Sequence, residues 1–382
     1  MGQIECSRHS LWRRVMTYKY YVISVLERKH TCKLYLAFRV PSKRLHIDYT
    51  ICDSDTLQQH ALYISDAITR TDAGYMPGVT HLPIDAANML DHYCDRRMLC
   101  ILKRYHCPED LNALTIQRRA NDEIEALRRL KSKTNVVTLL DHFEYGGNTY
   151  YAMEYVWRGT LRKLIQRNRG LDIRTTKTYA YQVGSAIATM HKEGISHRDI
   201  NSGNILVTST GDIKLIDFNL CKLIEESEER MTSFLGTYSV MPPEVLRCNS
   251  RHRSSSSGNS YTKEIDWWYL GTLIYEMLAC SLPFTGTGDN DEQSFYNRVS
   301  KSPDTIHFTA IKDEDAKDLI KQLLQRSPAD RLGAEEGWSC ISKHKFFSDA
   351  QPKLHHLSVP IDYLDSRIFE AIKALIMKHE DA

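Results

Sequence analysis

The stretch that most constrains this chain is HRDINSGNILVTSTGDIKLIDFN, residues 197–219. Ile205-Leu206-Val207 and Ile213-Lys214-Leu215-Ile216 are short apolar runs, and Thr210-Gly211-Asp212 between them is a turn signal, so the stretch predicts a loop, a hairpin and a second loop. A hairpin holds its two ends together, which brings Asp199, Asn204 and Asp217 toward one point. Two carboxylates and an amide offer only oxygen ligands to a metal, a set suited to a hard cation such as Mg²⁺ that also keeps waters and phosphate oxygens.

The stretch resembles the catalytic and metal loops of the eukaryotic protein kinase superfamily. The family's H-R-D-x-K-x-x-N is matched by His197-Arg198-Asp199-Ile200-Asn201-Ser202-Gly203-Asn204, and its D-F-G by Asp217-Phe218-Asn219. Other elements follow in the family's order. Met98 to Lys103 is an apolar strand ending in lysine, similar to V-A-I-K. Asn121 to Lys131 reads as an amphipathic helix with Glu123, Leu127 and Leu130 on one stripe and Glu125 toward solvent. An acid on the packed stripe needs a partner, and Lys103 is the expected one. Val136–Tyr145 and Thr149–Val156 flank a Gly-Gly-Asn turn as a hairpin. Met153-Glu154-Tyr155-Val156 resembles the adenine-binding hinge, with Met153 as gatekeeper. A helix is expected over Ile173–His191, with Gly194 past its end.

Downstream, Met241-Pro242-Pro243-Glu244 is similar to A-P-E, and Ser233 to Thr237 resembles an activation-loop phosphosite followed by the threonine typical of Ser/Thr kinases. The resemblance implies that phosphate on Ser233, or on Thr232, pairs with Arg198. Asp266 opens a helix apolar on nearly every side and is implied to brace the catalytic loop; Arg331 is implied to pair with Glu244. The Asp-Trp-Trp and Arg-Leu-Gly forms are closest in style to the AGC branch.

The implied fold is α+β and bilobal, with a small β-rich N-lobe holding one key helix and a larger, mainly helical C-lobe. The expected boundaries are an extension of unknown role at 1–80, a kinase domain at 81–347 (N-lobe 81–156, C-lobe 157–347) and a tail at 348–382. The implied activity is transfer of the ATP γ-phosphate to protein Ser or Thr hydroxyls, with ATP and Mg²⁺ as cofactors; the alternative is a pseudokinase acting as a scaffold. Asp199 and Asn201 are the candidate catalytic residues, and Asn204 and Asp217 the candidate metal ligands. Lys103, Glu123, Met153, Glu154 and Val156 are candidates for binding nucleotide. Thr237 and Glu276 are candidates for reading substrate, with Arg198, Thr232 and Ser233 regulatory.

Three departures from the family pattern stand out. Asn201 replaces a lysine, which removes a positive charge worth ~2.7–4 kcal/mol to transfer and implies slowed rather than abolished activity. Asn219 replaces a glycine, a mild change if that position needs positive φ. Counting back from Lys103 places the phosphate-covering loop within 80–88, which contains no glycine and carries Pro83. Thr160 stands where the AGC pattern has an acid that reads basic substrates, leaving Glu276 of that pair.

A net charge of +2 argues against nucleic acid as a partner, and ten cysteines without a CxxC pair suit reduced thiols. The expected location is intracellular, cytoplasmic or nuclear. No apolar run reaches membrane-span length. Membrane association is expected only if Gly2 is myristoylated, and Cys6 stands where that signal wants Ser or Thr.

Overall fold

A computed structural model of the chain describes residues 18–28, 31–41, 99–105, 112–145, 148–156, 158–224, 230–249, 260–285 and 292–349. Gly2, the expected covering loop at 80–88, the serine-rich insert after Arg251 and nearly all of the expected tail lie outside these residues. The described residues fall into two compact units divided after Arg104.

The first unit holds β1 (Tyr18–Arg28), β2 (Cys32–Pro41) and β3 (Leu99–Tyr105) up to Arg104, in the order β1-β2-β3. β1 and β2 are antiparallel, Val22 facing Ala37, with register shifts after Val22 and Val25. Cys32, Leu36, Ala37, Cys100 and Leu102 are buried, and the Cys100 thiol donates to the Ala37 carbonyl at 3.5 Å. Two strands of the stretch expected to be an extension therefore share a sheet with the strand that carries Lys103. The residues that connect them, Lys29-His30-Thr31, contain no glycine.

The first helix of the second unit is α1 (Ala113–Arg129), capped by Asn112, whose side chain accepts from the Leu114 N–H. The helix begins earlier than its apolar stripe suggests because its first turns are largely exposed. The stripe itself is buried: Glu123, Leu127 and Leu130 are each at most 1% exposed. Glu125 lies on the solvent side, as expected, and pairs there with Arg128 at 2.5 Å and Arg129 at 3.1 Å. β4 (Leu139–Tyr145) and β5 (Asn148–Glu154) form the expected hairpin, Tyr145 facing Asn148.

Helices dominate beyond this point. α2 (Leu161–Asn168) is capped by Thr160, and α3 (Ile173–Lys192) by Asp172, whose carboxylate accepts from the Thr175 N–H. α3 buries Val183, Ile187 and Met190 and packs against α4 (Ile265–Ala279), which is buried on almost every side. Gly194 follows α3 at φ 68°, a conformation open to glycine at little cost. Between α3 and α4 run β6 (Ile195–Ser196), β7 (Ile205–Val207), β8 (Ile213–Leu215) and β9 (Lys222–Leu223). β7 pairs with β8 as predicted, Ile205 facing Leu215. α5 (Glu292–Ser300) and α6 (Glu314–Leu323) complete the described helices of eight or more residues.

As the resemblance implied, the Arg331 guanidinium grips Glu244 bidentately at 2.7 and 3.1 Å in full burial; it also lies 5.2 Å over the Trp268 ring. Among the described residues no helix is long and apolar enough to cross a membrane.

Candidate active site

The β7–β8 hairpin is anchored from both sides. Asn135 donates to the Ile213 carbonyl at 3.1 Å and Gln182 accepts the Ile213 N–H at 2.9 Å. At the open end the Ile216 N–H donates to the Asn204 carbonyl at 2.9 Å, so the chain just before Asp217 is fastened to Asn204. The hairpin thus holds its two loops together, as its sequence suggested.

Asp266, at the start of α4, organises the first loop. Its carboxylate accepts the backbone N–H groups of His197 and Arg198, the Ser196 hydroxyl and His191 Nε2, all at 2.9–3.0 Å and in full burial. Burial alone would raise this carboxyl, but the His191 hydrogen bond and charge, with the Arg198 N–H, hold it below the ordinary carboxylate value. Arg198 lies at φ 68°, a left-handed conformation uncommon for a residue with a side chain, and two of the four bonds to Asp266 come from its own and the preceding N–H.

His197 links the loops. Its Nδ1 accepts the Asp199 N–H at 3.3 Å, which leaves Nε2 to donate to the Ile216 carbonyl at 3.1 Å. Its ring meets the edge of the buried Phe218 at 4.7 Å. Asp217, beside it, sits at φ 63° while Asn219 does not have positive φ. The backbone freedom looked for at the glycine position is therefore taken up two residues earlier, and Asn219 is not strained.

Asp199 is held at both oxygens. Oδ1 accepts the Thr237 N–H at 2.8 Å, and Oδ2 accepts Asn204 Nδ2 at 2.9 Å. Asn204 Nδ2 also donates to the Asp199 carbonyl at 2.9 Å, which turns its Oδ1 away from Asp199. Asn204 and Asp217 together give one amide oxygen and one carboxylate. That set fits Mg²⁺, which binds through few protein oxygens and keeps waters and substrate phosphates. No cluster of three or more His, Cys, Asp or Glu able to hold a metal by themselves occurs among the described residues.

Asn201 has a fixed amide. Arg162 Nη2 and the Gly203 N–H donate to its Oδ1 at 3.1 and 2.9 Å, and its Nδ2 donates to the Asp199 carbonyl at 3.2 Å and Thr237 Oγ1 at 3.3 Å. The structure thus brings Asp199, Asn201, Asn204 and Thr237 into one network. Glu276 joins it through Ser202, whose hydroxyl donates to Glu276 Oε1 at 2.7 Å. Arg162 carried no signal in the sequence; it is an ordinary polar residue of α2 until the fold sets it against the catalytic loop.

Of the nucleotide candidates, Met153 and Val156 are buried. The Glu154 carboxylate is turned inward, accepting the Thr138 N–H and pairing with Lys214, each at 2.7 Å. Glu123 accepts a hydrogen bond from the Tyr105 hydroxyl. Lys103, at the end of the first unit, is 2% exposed.

Of the regulatory candidates, Thr232 and Ser233 are exposed and line a cavity of about 870 Å³ together with Arg118, Arg119, Arg198, Lys222 and Arg230. Burial raises the Asp122 carboxyl in its wall, despite Arg118, Lys222 and Arg198 nearby. Arg198 donates meanwhile to the carbonyls of Leu220 and Cys221 at 2.5 and 3.3 Å, and Tyr261 bridges Arg198 and the Ser233 carbonyl.

Residues 96–347 match the protein kinase domain family. The Aspergillus fumigatus "Serine/threonine protein kinase ypkA" is 36% identical over 214 residues, 56% of this chain and 31% of that protein. Schizosaccharomyces pombe "Serine/threonine-protein kinase gad8" is 34% identical over 61% of this chain and 39% of its own length. The Dictyostelium discoideum "cAMP-dependent protein kinase catalytic subunit" is 32% identical over 64% and 36%. The chain thus spans between three and four tenths of the length of these curated relatives. With a β-rich part carrying one helix followed by a mainly helical part, and with the catalytic and metal loops joined across one hairpin, the chain belongs to the eukaryotic protein kinase superfamily.

Proposed function

We propose that this chain is a Ser/Thr protein kinase that transfers the γ-phosphate of ATP to protein hydroxyls. The observation that carries the reading is Asp199: both carboxylate oxygens are fixed, one by the Thr237 N–H and one by Asn204, so the carboxylate has one orientation toward an incoming hydroxyl. In that position it accepts or orients the hydroxyl proton as the phosphate departs from ATP. Asn204 and Asp217 hold Mg²⁺, which when bound neutralises phosphate charge. Lys103 and Glu123 keep the nucleotide-binding role the family gives them, and the backbone around Met153, Glu154 and Val156 receives adenine. Thr237 supports the choice of Ser and Thr. Its relatives' names give the scaffold alternative no support.

Regulation follows from the basic cavity. Phosphate on Ser233 or Thr232 enters a wall of arginine and lysine and competes with the carbonyls now held by Arg198. The kinase domain is taken as 81–347, divided at 156, with β1 and β2 of the preceding stretch added to its sheet. Protein substrates are the expected partners, and an intracellular location is the expected one. The test is Mg²⁺-dependent transfer from labelled ATP to a pool of Ser and Thr peptides, with Asp217→Ala beside the parent. Transfer by the parent alone is the expected result; equal transfer by both removes Asp217 from the metal site, and none by either, from folded protein, removes the activity.

A further inference from the structure

Asn201, in the lysine's place, carries no charge, and the fold sets a cation against it from another element. Arg162, the second residue of α2, extends to the catalytic loop. Its Nη2 donates to Asn201 Oδ1 at 3.1 Å and its Nε to Ser202 Oγ at 3.3 Å. Ser202 passes the contact on to Glu276 Oε1 at 2.7 Å. Gly203 leaves room for this: a Cβ there would lie 3.1 Å from Arg162 Cζ and Nη2, and 3.0 Å from Asn201 Oδ1. Among the described residues Arg162 Nη1 makes no hydrogen bond, and the side chain is exposed.

Three consequences follow. Asn201 spends its Nδ2 on the Asp199 carbonyl and Thr237, and the guanidinium of Arg162 is one hydrogen bond away at its Oδ1. Glu276 faces a hydroxyl donor and, beyond it, a guanidinium. Burial raises its carboxyl, while Ser202 and Arg162 act in the opposite direction. A basic substrate side chain arriving at Glu276 would also face the positive charge of Arg162, which shares Ser202 with it. The guanidinium fork with an uncommitted nitrogen instead suits a carboxylate.

We propose, resting on the kinase reading above, that Arg162 is a specificity-determining residue that turns the peptide groove from basic toward acidic substrates. One extended residue spans ~3.3–3.6 Å, so the neighbours of a hydroxyl seated at Asp199 pass within reach of a guanidinium held one hydrogen bond from Asn201. The occupant is a Ser or Thr flanked by Asp or Glu.

The test uses the full chain with Mg²⁺ and ATP and two peptides that differ only in the residues flanking one serine, acidic in the first and basic in the second. The parent favours the acidic peptide in kcat/KM by about fivefold, the worth of one partly exposed ion pair. Arg162→Glu reverses the order, Arg162→Lys keeps it, and Lys163→Ala, the neighbouring charge on α2, leaves the ratio as in the parent. A parent that prefers the basic peptide overturns the proposal, as does an equal shift by Arg162→Glu and Lys163→Ala, which marks a bulk charge effect. Peptide affinity read by fluorescence anisotropy separates the two claims. Acidic preference in binding without transfer sustains the role of Arg162 and removes the kinase activity; transfer without charge preference does the reverse.

Discussion

Asp266→Asn tests whether one buried carboxylate holds the catalytic loop. Four donors converge on Asp266, three on Oδ2 and one, the Arg198 N–H, on Oδ1. Asparagine keeps one oxygen. Its best orientation points that oxygen at Ser196, His197 and His191, and sets its NH₂ against the Arg198 N–H. That buried donor then lacks an acceptor, at ~1–3 kcal/mol, and three bonds to a charge become bonds to a neutral group, at ~1 kcal/mol each. These terms overlap, and the net loss is about 4 kcal/mol, in the range for breaking a buried charged network. Urea unfolding at pH 7 followed by tryptophan fluorescence measures it. Transfer activity falls in parallel, because Arg198 at φ 68° loses the bond that holds it there. The pH dependence gives an independent check. The folded-state value of Asp266 is depressed, so its contribution is fully present above the unfolded value of about 3.9 and is lost as pH falls through the lowered folded value. The difference between parent and variant is therefore constant from pH 7 to about pH 4 and narrows below that. A loss under about 1 kcal/mol at pH 7, or a gap that does not narrow in acid, refutes the reasoning.

Arg331→Met strands the buried Glu244 and costs about 3–5 kcal/mol in urea unfolding, whereas Arg331→Met with Glu244→Leu recovers most of it; equal losses would mean the pair itself stabilises the fold. Gly184→Ala is destabilising by roughly 1–3 kcal/mol although alanine favours helices, because its Cβ would meet the Trp338 ring at 2.0–2.6 Å; a stabilised variant would show that Trp338 moves aside freely. Asn201→Lys restores the family's residue but removes the acceptor of Arg162 Nη2 and sets two cations together, so kcat rises by less than about tenfold, and the double change with Arg162→Phe rises further. A large gain from the single change, read in the peptide transfer assay, would mean that Arg162 yields the space without cost.

The β7–β8 hairpin, the buried stripe of α1 and the span of α3 are legible in the sequence, because each is specified by local periodicity and turn chemistry. The same local logic made Glu123 a buried acid and brought Asp199 to Asn204, with the chain before Asp217 fastened to Asn204. Asn219 marks its limit: the positive φ expected there is taken by Asp217, next to Ile216, which is bonded to Asn204 and His197. The resemblance named Asp266 as a brace but not its partners His191 and Ser196, which reach it across 75 and 70 residues of chain.

Local sequence determined which segments are strands and helices and which residues bear oxygen, charge or hydroxyl at the catalytic loop. Tertiary structure alone decided what Asn201 stands beside. Arg162 lies 39 residues before Asn201 and Glu276 lies 74 after Ser202, and no local pattern relates them. Only the packing of α2 and α4 around one loop brings these side chains within hydrogen-bond distance, where their charges act on one another.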